Sequence, residues 1–240
     1  MTAMTGPDLT AHDPFAIARL VTPPSFGGGS RTIADPIVEP LWGGLRVIVG
    51  ARAQEAAMFE GGAPVESHPG LLQAFAAATA TTCDGIVVEA WLTRQVADGD
   101  VGVYTGPEGD LPTTGAFIGQ VLLGSRAERL RARTEELEAR QSAREIAEDE
   151  AVNLIVVDLL WLDGQSLLDV PLLERKRILE SVVPAGALVR PGIHVKPPIG
   201  SWIGSWRAQG FAGLTFRAAN SRYRPGESAS DWATAPMPRR

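Results

Sequence analysis

The stretch Asn153–Leu162 limits the possible folds more than any other part of this 240-residue chain. It reads NLIVVDLLWL, a continuous apolar run interrupted by Asp158, and it ends at Asp163-Gly164, a strong turn signal. No apolar run in the chain approaches the roughly 20 residues that cross a bilayer, so this one reads as a strand. Leu45–Val49, Gly85–Trp91 and Val101–Tyr104 read the same way, as do Ala187–Val189, Ile193–Val195 and Phe211–Arg217. Helices are expected at Leu71–Ala80 after His68-Pro69-Gly70, at Pro171–Val183 with proline in its first turn, and at Ser201–Gln209 before Gly210. The strands come in clusters, and the helices do not alternate regularly with them. That pattern predicts an α+β fold, with antiparallel β-sheets flanked by helices.

Two further segments stand apart. Residues 1–33 carry Pro7, Pro14, Pro23-Pro24 and Gly27-Gly28-Gly29, which oppose regular structure. They are expected to form a flexible N-terminal arm ahead of a domain spanning 34–240. Arg126–Glu150 lacks Gly and Pro and reads as a long charged helix, with Glu136 and Arg140 four apart and Glu128 and Arg131 three apart. Its apolar stripe is thin (Leu130, Leu137, Ile146), so the helix protrudes into solvent or meets a partner.

Composition excludes some chemistry. A single cysteine, Cys83, rules out an internal disulfide and points to a reducing cytoplasm. Net charge is −6, without the basic excess of a protein that lives on phosphate backbones. His12, His68 and His194 lie far apart with no ligand-spaced partner, so no metal site is expected. Ser25 to Ser30 is glycine-rich but lacks a following lysine and helix, so it is not a phosphate loop. Trp202 and Trp206, four apart, read as packing residues. Covalent lysine chemistry has two places to occur, Lys176 and Lys196. Lys176 is expected on the solvated face of its helix and Lys196 on the surface near a strand end.

Five ordered segments, from about Asp35 to Trp232, resemble the adenylation domain of ATP-dependent DNA ligases, particularly the bacterial repair type. Glu39-Pro40-Leu41-Trp42-Gly43-Gly44-Leu45-Arg46 resembles the family's Glu-Pro-Lys-Trp-Asp-Gly-x-Arg. Cys83-Asp84-Gly85-Ile86 resembles Leu-Asp-Gly-Glu, and Val157 to Gly164 followed by Leu167 to Arg175 resembles Phe-Asp-Leu-Leu-Tyr-Leu-Asp-Gly and its following helix. Gly210 to Arg217 and then Ser221 to Gly226 resemble Gly-x-Glu-Gly-hydrophobic-hydrophobic-x-Lys and Ser-x-Tyr-x-Pro-Gly, and Asp231-Trp232 closes the series. The resemblance implies a nucleotidyltransferase fold of the DNA-ligase and ATP-grasp-like kind, using ATP and Mg²⁺.

The same resemblance implies that the chemistry is missing. The family's lysine amine attacks the α-phosphate of ATP, and Leu41 stands there with no lone pair. Gly43 replaces an aspartate, Ile86 and Ala212 replace glutamates, and Val157 replaces the ring that stacks on adenine. Arg217 keeps the charge of a lysine but not its shape. Thr234 and Pro236 replace two final lysines. The degenerate pocket expected from these motifs comprises Leu41, Trp42, Gly43, Gly44, Arg46, Asp84, Gly85, Ile86, Val157, Ala212 and Arg217. Arg46, Arg217, Arg222 and Arg224 are the candidate phosphate-binding residues. A charged contact contributes roughly 1.5–3 kcal/mol, so losing three or four removes about 6 kcal/mol, enough to abolish micromolar binding. No cofactor is expected. Nor is an OB-fold domain, because the sequence ends eight residues after Trp232. The expected role is a catalytically inactive binding or assembly partner of an active ligase or another repair protein, met through the helix at 126–150. A nucleic-acid partner is less well supported, and no membrane is implied. The rival readings are an active ligase or nucleotidyltransferase with a rearranged site, and a non-catalytic nucleic-acid-binding module.

Overall fold

The computed structural model describes residues 13–95 and 152–238. The expected strand Val101–Tyr104 and helix 126–150 lie outside them. Among the described residues, no helix is long and apolar enough to cross a membrane.

A curled sheet forms the centre. Its path runs β5 (Ala63–Pro64), β4 (Glu55–Glu60), β3 (Leu45–Arg52), β6 (Gly85–Thr93), β7 (Asn153–Leu162), β8 (Gln165–Ser166), with β9 (Val189–Pro191) pairing β7. Every pair is antiparallel except β7 with β9. A second, antiparallel sheet has the order β12 (Trp232–Pro236), β10 (Gly213–Ala218), β2 (Pro36–Pro40). The α+β expectation with antiparallel sheets therefore holds. Asn153–Leu162 is a strand over its whole expected length, and Ile193–Val195 shrinks to a single bridge between Val38 and Val195.

Each face of the central sheet has its own core, because side chains alternate along a strand. On one face Val47, Val49, Val88, Ala90, Leu154 and Val156 pack under helices α2 (Pro69–Thr79) and α3 (Leu172–Val182). On the other, Ile48, Val87, Leu160 and Trp161 meet helix α1 (Pro14–Leu20). Trp91, Ile155 and Val157 on that same face meet Val38 and Leu214 of the small sheet and Trp206 of α4 (Gly200–Ala208). Glu89 lies between those two apolar groups, at the seam where the sheets face each other.

Part of the expected N-terminal arm is core instead. Asp13 caps α1 by accepting from the Phe15 N–H at 3.1 Å, and Pro14 occupies the first turn, where proline's missing N–H is harmless. Ile17 and Ala18 are fully buried. The helix sits close because β3 offers Gly50, where a Cβ would stand 2.6 Å from the Pro14 carbonyl oxygen. The glycine run is structural too. The Gly28 N–H donates to the Trp232 carbonyl at 2.7 Å, and a Cβ there would collide with the Ser230 oxygen. This contact, with the short parallel pairing of β1 (Ser25–Phe26) on β11 (Ser228–Ala229), stitches residues 25–28 to the C-terminal segment.

Candidate functional site

The seam between the sheets is occupied by charge. Glu39 projects from β2, Arg217 from β10, Asp158 from β7, and Arg175 and Lys176 from α3; all are buried. Lys176 Nζ donates to one Glu39 oxygen and Arg217 Nη2 to the other. Arg217 Nη1 reaches Asp158 Oδ2 at 3.2 Å, and Nη2 also donates to the Val157 carbonyl at 3.1 Å. Arg175 grips Asp158 with two parallel bonds, Nε to Oδ1 at 2.8 Å and Nη2 to Oδ2 at 2.9 Å. Beside this group, Arg46 Nε donates to Glu89 Oε1 at 2.8 Å and the Tyr223 hydroxyl to Glu89 Oε2 at 2.7 Å. Arg46 also donates to the Pro24 carbonyl at 2.7 Å and lies over the Phe26 ring. Trp232 stacks under Arg217, 4.9 Å from its guanidinium, and donates to Ser221.

Local strand geometry brings these groups together. Glu39 pairs in register with Thr215 of β10, and Leu41, one residue past the end of β2, still donates its N–H to the Gly213 carbonyl, so alternation keeps Glu39 and Leu41 on one face. The register of β6 on β7 shifts between Val87 and Val88 and again between Glu89 and Ala90, which leaves Leu160 and Val157 as extra residues. The second irregularity puts Val157 and Asp158 on the seam side, a common effect of a bulge.

Electrostatics follow from burial and pairing. Burial alone would raise the carboxyl pKa of Glu39, but attraction from Arg217 and Lys176 outweighs it and holds the group below the usual range. Asp158 is likewise held low, chiefly by Arg175 against its own desolvation. For Lys176 the balance reverses: desolvation pushes the amine below its ordinary value despite Glu39. His194 is lowered by burial and by Lys176. Tyr223 is raised by burial and by the Glu89 charge. The count explains the asymmetry, since Arg175, Lys176 and Arg217 face Glu39 and Asp158, a surplus of one cation.

The residues singled out from sequence divide into two places. Trp42 and Val157 share one apolar cluster and Arg217 donates to the Val157 carbonyl, whereas Leu41 and Ala212 both lie beside Gly213 at the start of β10. Leu41 is 6 % exposed, donates its N–H to the Gly213 carbonyl at 2.9 Å, and turns its side chain toward Gly213. Trp42 packs edge-on against Phe211 at 5.1 Å and shares a cluster with Val157, Trp91 and Trp206. Ala212 is half-buried, and its carbonyl accepts from Met237. Gly43 donates to Gln95 at 2.7 Å. Gly44 has φ +120°, and a Cβ there would lie 2.2 Å from the Leu92 carbonyl oxygen.

Asp84, Gly85 and Ile86 are elsewhere. They sit at the opposite end of β6 from Leu92, six residues or roughly 20 Å away. The backbone N–H groups of Asp84 and Gly85 both donate to Asp163 Oδ1, closing a turn. Ile86 is buried under the helices on the far face, so it does not fill the cleft. The carboxylate on the seam is Glu89, three residues later. Arg222 and Arg224 are exposed on the loop after β10 and take no part in the network.

Lys176 corrects a second expectation. It is 1 % exposed and lies at the centre of the charge cluster, not on a solvated face. Lys196 is on the surface, paired with Asp35 at 2.9 Å. Glu39, Asp158 and Glu89 escaped notice as a set, yet each is a lone charge in an apolar strand, which burial obliges to find a partner.

The donor set does not suit a nucleotide and its magnesium. Both central carboxylates are committed to arginine or lysine, and Leu41 and Ala212 offer no side-chain oxygen or nitrogen. Among the described residues, no three His, Cys, Asp or Glu side chains are placed to hold a metal ion.

Residues 123–234 match the family described as the ATP dependent DNA ligase domain. A 76-residue stretch is 36 % identical to the multifunctional non-homologous end joining protein LigD of Mycolicibacterium smegmatis, covering 31 % of this chain and 10 % of that protein. Among solved structures, the ligase domain of M. tuberculosis LigD superposes with a TM-score of 0.61 at 20 % identity, covering 91 % of this chain and 60 % of that one. A mycobacterial DNA ligase D complexed with ATP and MES gives the same values. The chain thus spans a tenth of the length of the M. smegmatis protein and 60 % of each of these two solved chains, less than two thirds in every case.

Proposed function

We propose that this chain, whose residues 123–234 match the ATP dependent DNA ligase domain, is a non-catalytic member of that family, kept as a binding or assembly partner in DNA repair. One observation carries the reading. The side chain at the nucleophile position, Leu41, is buried carbon, and the neighbouring Glu39 on the same face is already saturated by Arg217 and Lys176. A phosphate-attacking amine is absent from that position, and the groups that would receive a phosphate are paired with each other. The partner is an active ligase or another repair protein, with the charged stretch 126–150 as the contact, in a reducing cytoplasm consistent with the single Cys83.

A specific observation favours one rival. Lys176 brings a primary amine with a lowered pKa to Glu39, so an enzyme with a rearranged site would use it. Its burial argues against this, because an attacking amine must meet its phosphate. Incubation with ATP and Mg²⁺ followed by intact-mass measurement separates the two. Unmodified protein, with no heat in a titration with ATP, is the expected result. A mass increase of one AMP that disappears in Lys176→Met would establish the rival and end the non-catalytic reading.

A further inference from the structure

The charge cluster has a geometry that a simple structural ion pair does not need. Two cations from different elements, Lys176 of α3 and Arg217 of β10, close on the two oxygens of one carboxylate from a third, β2. A carboxylate held this way offers its cations two oxygens as a phosphoryl group would. Arg217 also has an unmet donor: its Nε–H is buried and has no acceptor among the described residues. A flat carboxylate supplies two oxygens, whereas a tetrahedral oxyanion supplies more. Asp158 cannot turn to that donor, because Arg175 holds both its oxygens. The charge count points the same way, since the cluster already carries one surplus cation with Glu39 in place.

We propose that Glu39 is the internal occupant of an oxyanion site built by Lys176 and Arg217, so that the domain is closed to phosphate-class ligands by its own carboxylate. This rests on the non-catalytic reading and says how the cleft is kept shut. The ligand the vacated site would take is a small tetrahedral oxyanion, inorganic phosphate or sulfate. A whole nucleotide is excluded, because Trp42, Trp91, Trp206 and Phe211 pack the adjoining space.

The test is Glu39→Gln, which keeps the shape and removes the charge, in the full chain. Thermal unfolding is followed against phosphate and sulfate at constant ionic strength made up with chloride, with ATP as a separate arm. Wild type should show no saturable rise. The variant should be less stable in chloride and gain stability saturably with phosphate and sulfate, with an apparent affinity at least roughly tenfold above wild type. If Glu39→Gln does not fold in chloride, recovery of near-UV circular dichroism on refolding in phosphate supports the site. A Glu39→Gln protein that folds in neither chloride nor phosphate overturns the proposal, and the double variant Glu39→Gln/Lys176→Met, which removes one of the site's two cations, should lose the phosphate response. A folded Glu39→Gln protein as indifferent to phosphate as wild type overturns the proposal, as does saturable phosphate binding by wild type. Binding of ATP by wild type would instead overturn the functional reading, so the two failures are distinct.

Discussion

Replacing Lys176 by methionine should leave the protein as stable as wild type or make it more so, although it deletes a buried ion pair. Two terms compete. The Lys176–Glu39 contact is a charged hydrogen bond, and its loss removes about 1.5–3 kcal/mol. Against that stands the desolvation of an ammonium, several kcal/mol for a fully buried ion. Geometry decides which wins. After the change, Arg175 and Arg217 face Glu39 and Asp158, two against two, and each carboxylate keeps an arginine. Methionine has a similar length and no charge, so little void remains. The expected difference at neutral pH is between about zero and a gain of ~2 kcal/mol. Asp158→Asn is the control, because it leaves three cations facing one carboxylate and should cost about 3–5 kcal/mol. The pH signature is equally specific. The folded-state pKa of Lys176 lies below its unfolded value near 10.4, so between the two the unfolded chain binds more protons. Stability should therefore rise with pH in that window, by at most ~1.4 kcal/mol per pH unit, and Lys176→Met should flatten the rise. Glu39 and Asp158 work in the opposite range. Their stabilisation is complete above the unfolded carboxylate value of about 4 and is lost as pH falls through their depressed folded values, in both proteins. Urea unfolding followed by tryptophan fluorescence at several pH values measures all of this. A Lys176→Met protein that loses 3 kcal/mol or more and keeps its alkaline slope would refute the charge-count argument.

Leu41→Lys should not restore adenylation, since Gly43, Val157 and Ala212 supply no replacement for the other lost groups; it should lower stability by ~2–4 kcal/mol by burying an ammonium beside Gly213, as intact mass and melting would report. Gly44→Ala should cost more than ~3 kcal/mol, because φ +120° and the Leu92 carbonyl both exclude a Cβ, and the soluble yield and urea midpoint will show it. Ile17→Ala should cost ~2–5 kcal/mol in chemical denaturation; a loss under 0.5 kcal/mol would mean that residues 14–20 contribute nothing to the core.

The elements were legible where composition dominates and illegible where packing does. Asn153–Leu162 has enough apolar length to be a strand in any context, and α3 declares itself through Pro171 and its amphipathic spacing. Pro14 misled because a proline among glycines and prolines looks like a breaker, whereas Asp13-Pro14 is a helix start once Gly50 receives it. Strand β12, with alanines at 233 and 235 and Pro236 at its end, has weak strand propensity and exists because β10 pairs with it from Gly213 to Arg217. Lys176 was misplaced for a similar reason. The sequence Glu174-Arg175-Lys176-Arg177 looks like a charged exposed turn, yet Arg175 and Lys176 both point inward because acids from two other strands wait there. Periodicity cannot see partners that lie 137 residues away in sequence.

The misreading of Ile86 carries the more general lesson about motifs. An Asp-Gly pair followed by apolar residues fixed the alignment, but Asp84 and Gly85 serve a turn, held by Asp163 with Gly85 packed against the Trp161 ring. The position on that strand that faces Arg46 comes three residues after Ile86, and it holds Glu89. A turn signal and a buried charge can thus lie on one strand without belonging to a single motif. The acid beside Arg46 is Glu89, tied to Arg46 and Tyr223, while Leu41 and Ala212 present no charged group. Cations and carboxylates left in such a cleft must either bind ligand or neutralise one another. In this chain Arg217, Lys176 and Arg175 close on Glu39 and Asp158, and these ion pairs tie β2 and β10 of the small sheet to β7 and α3.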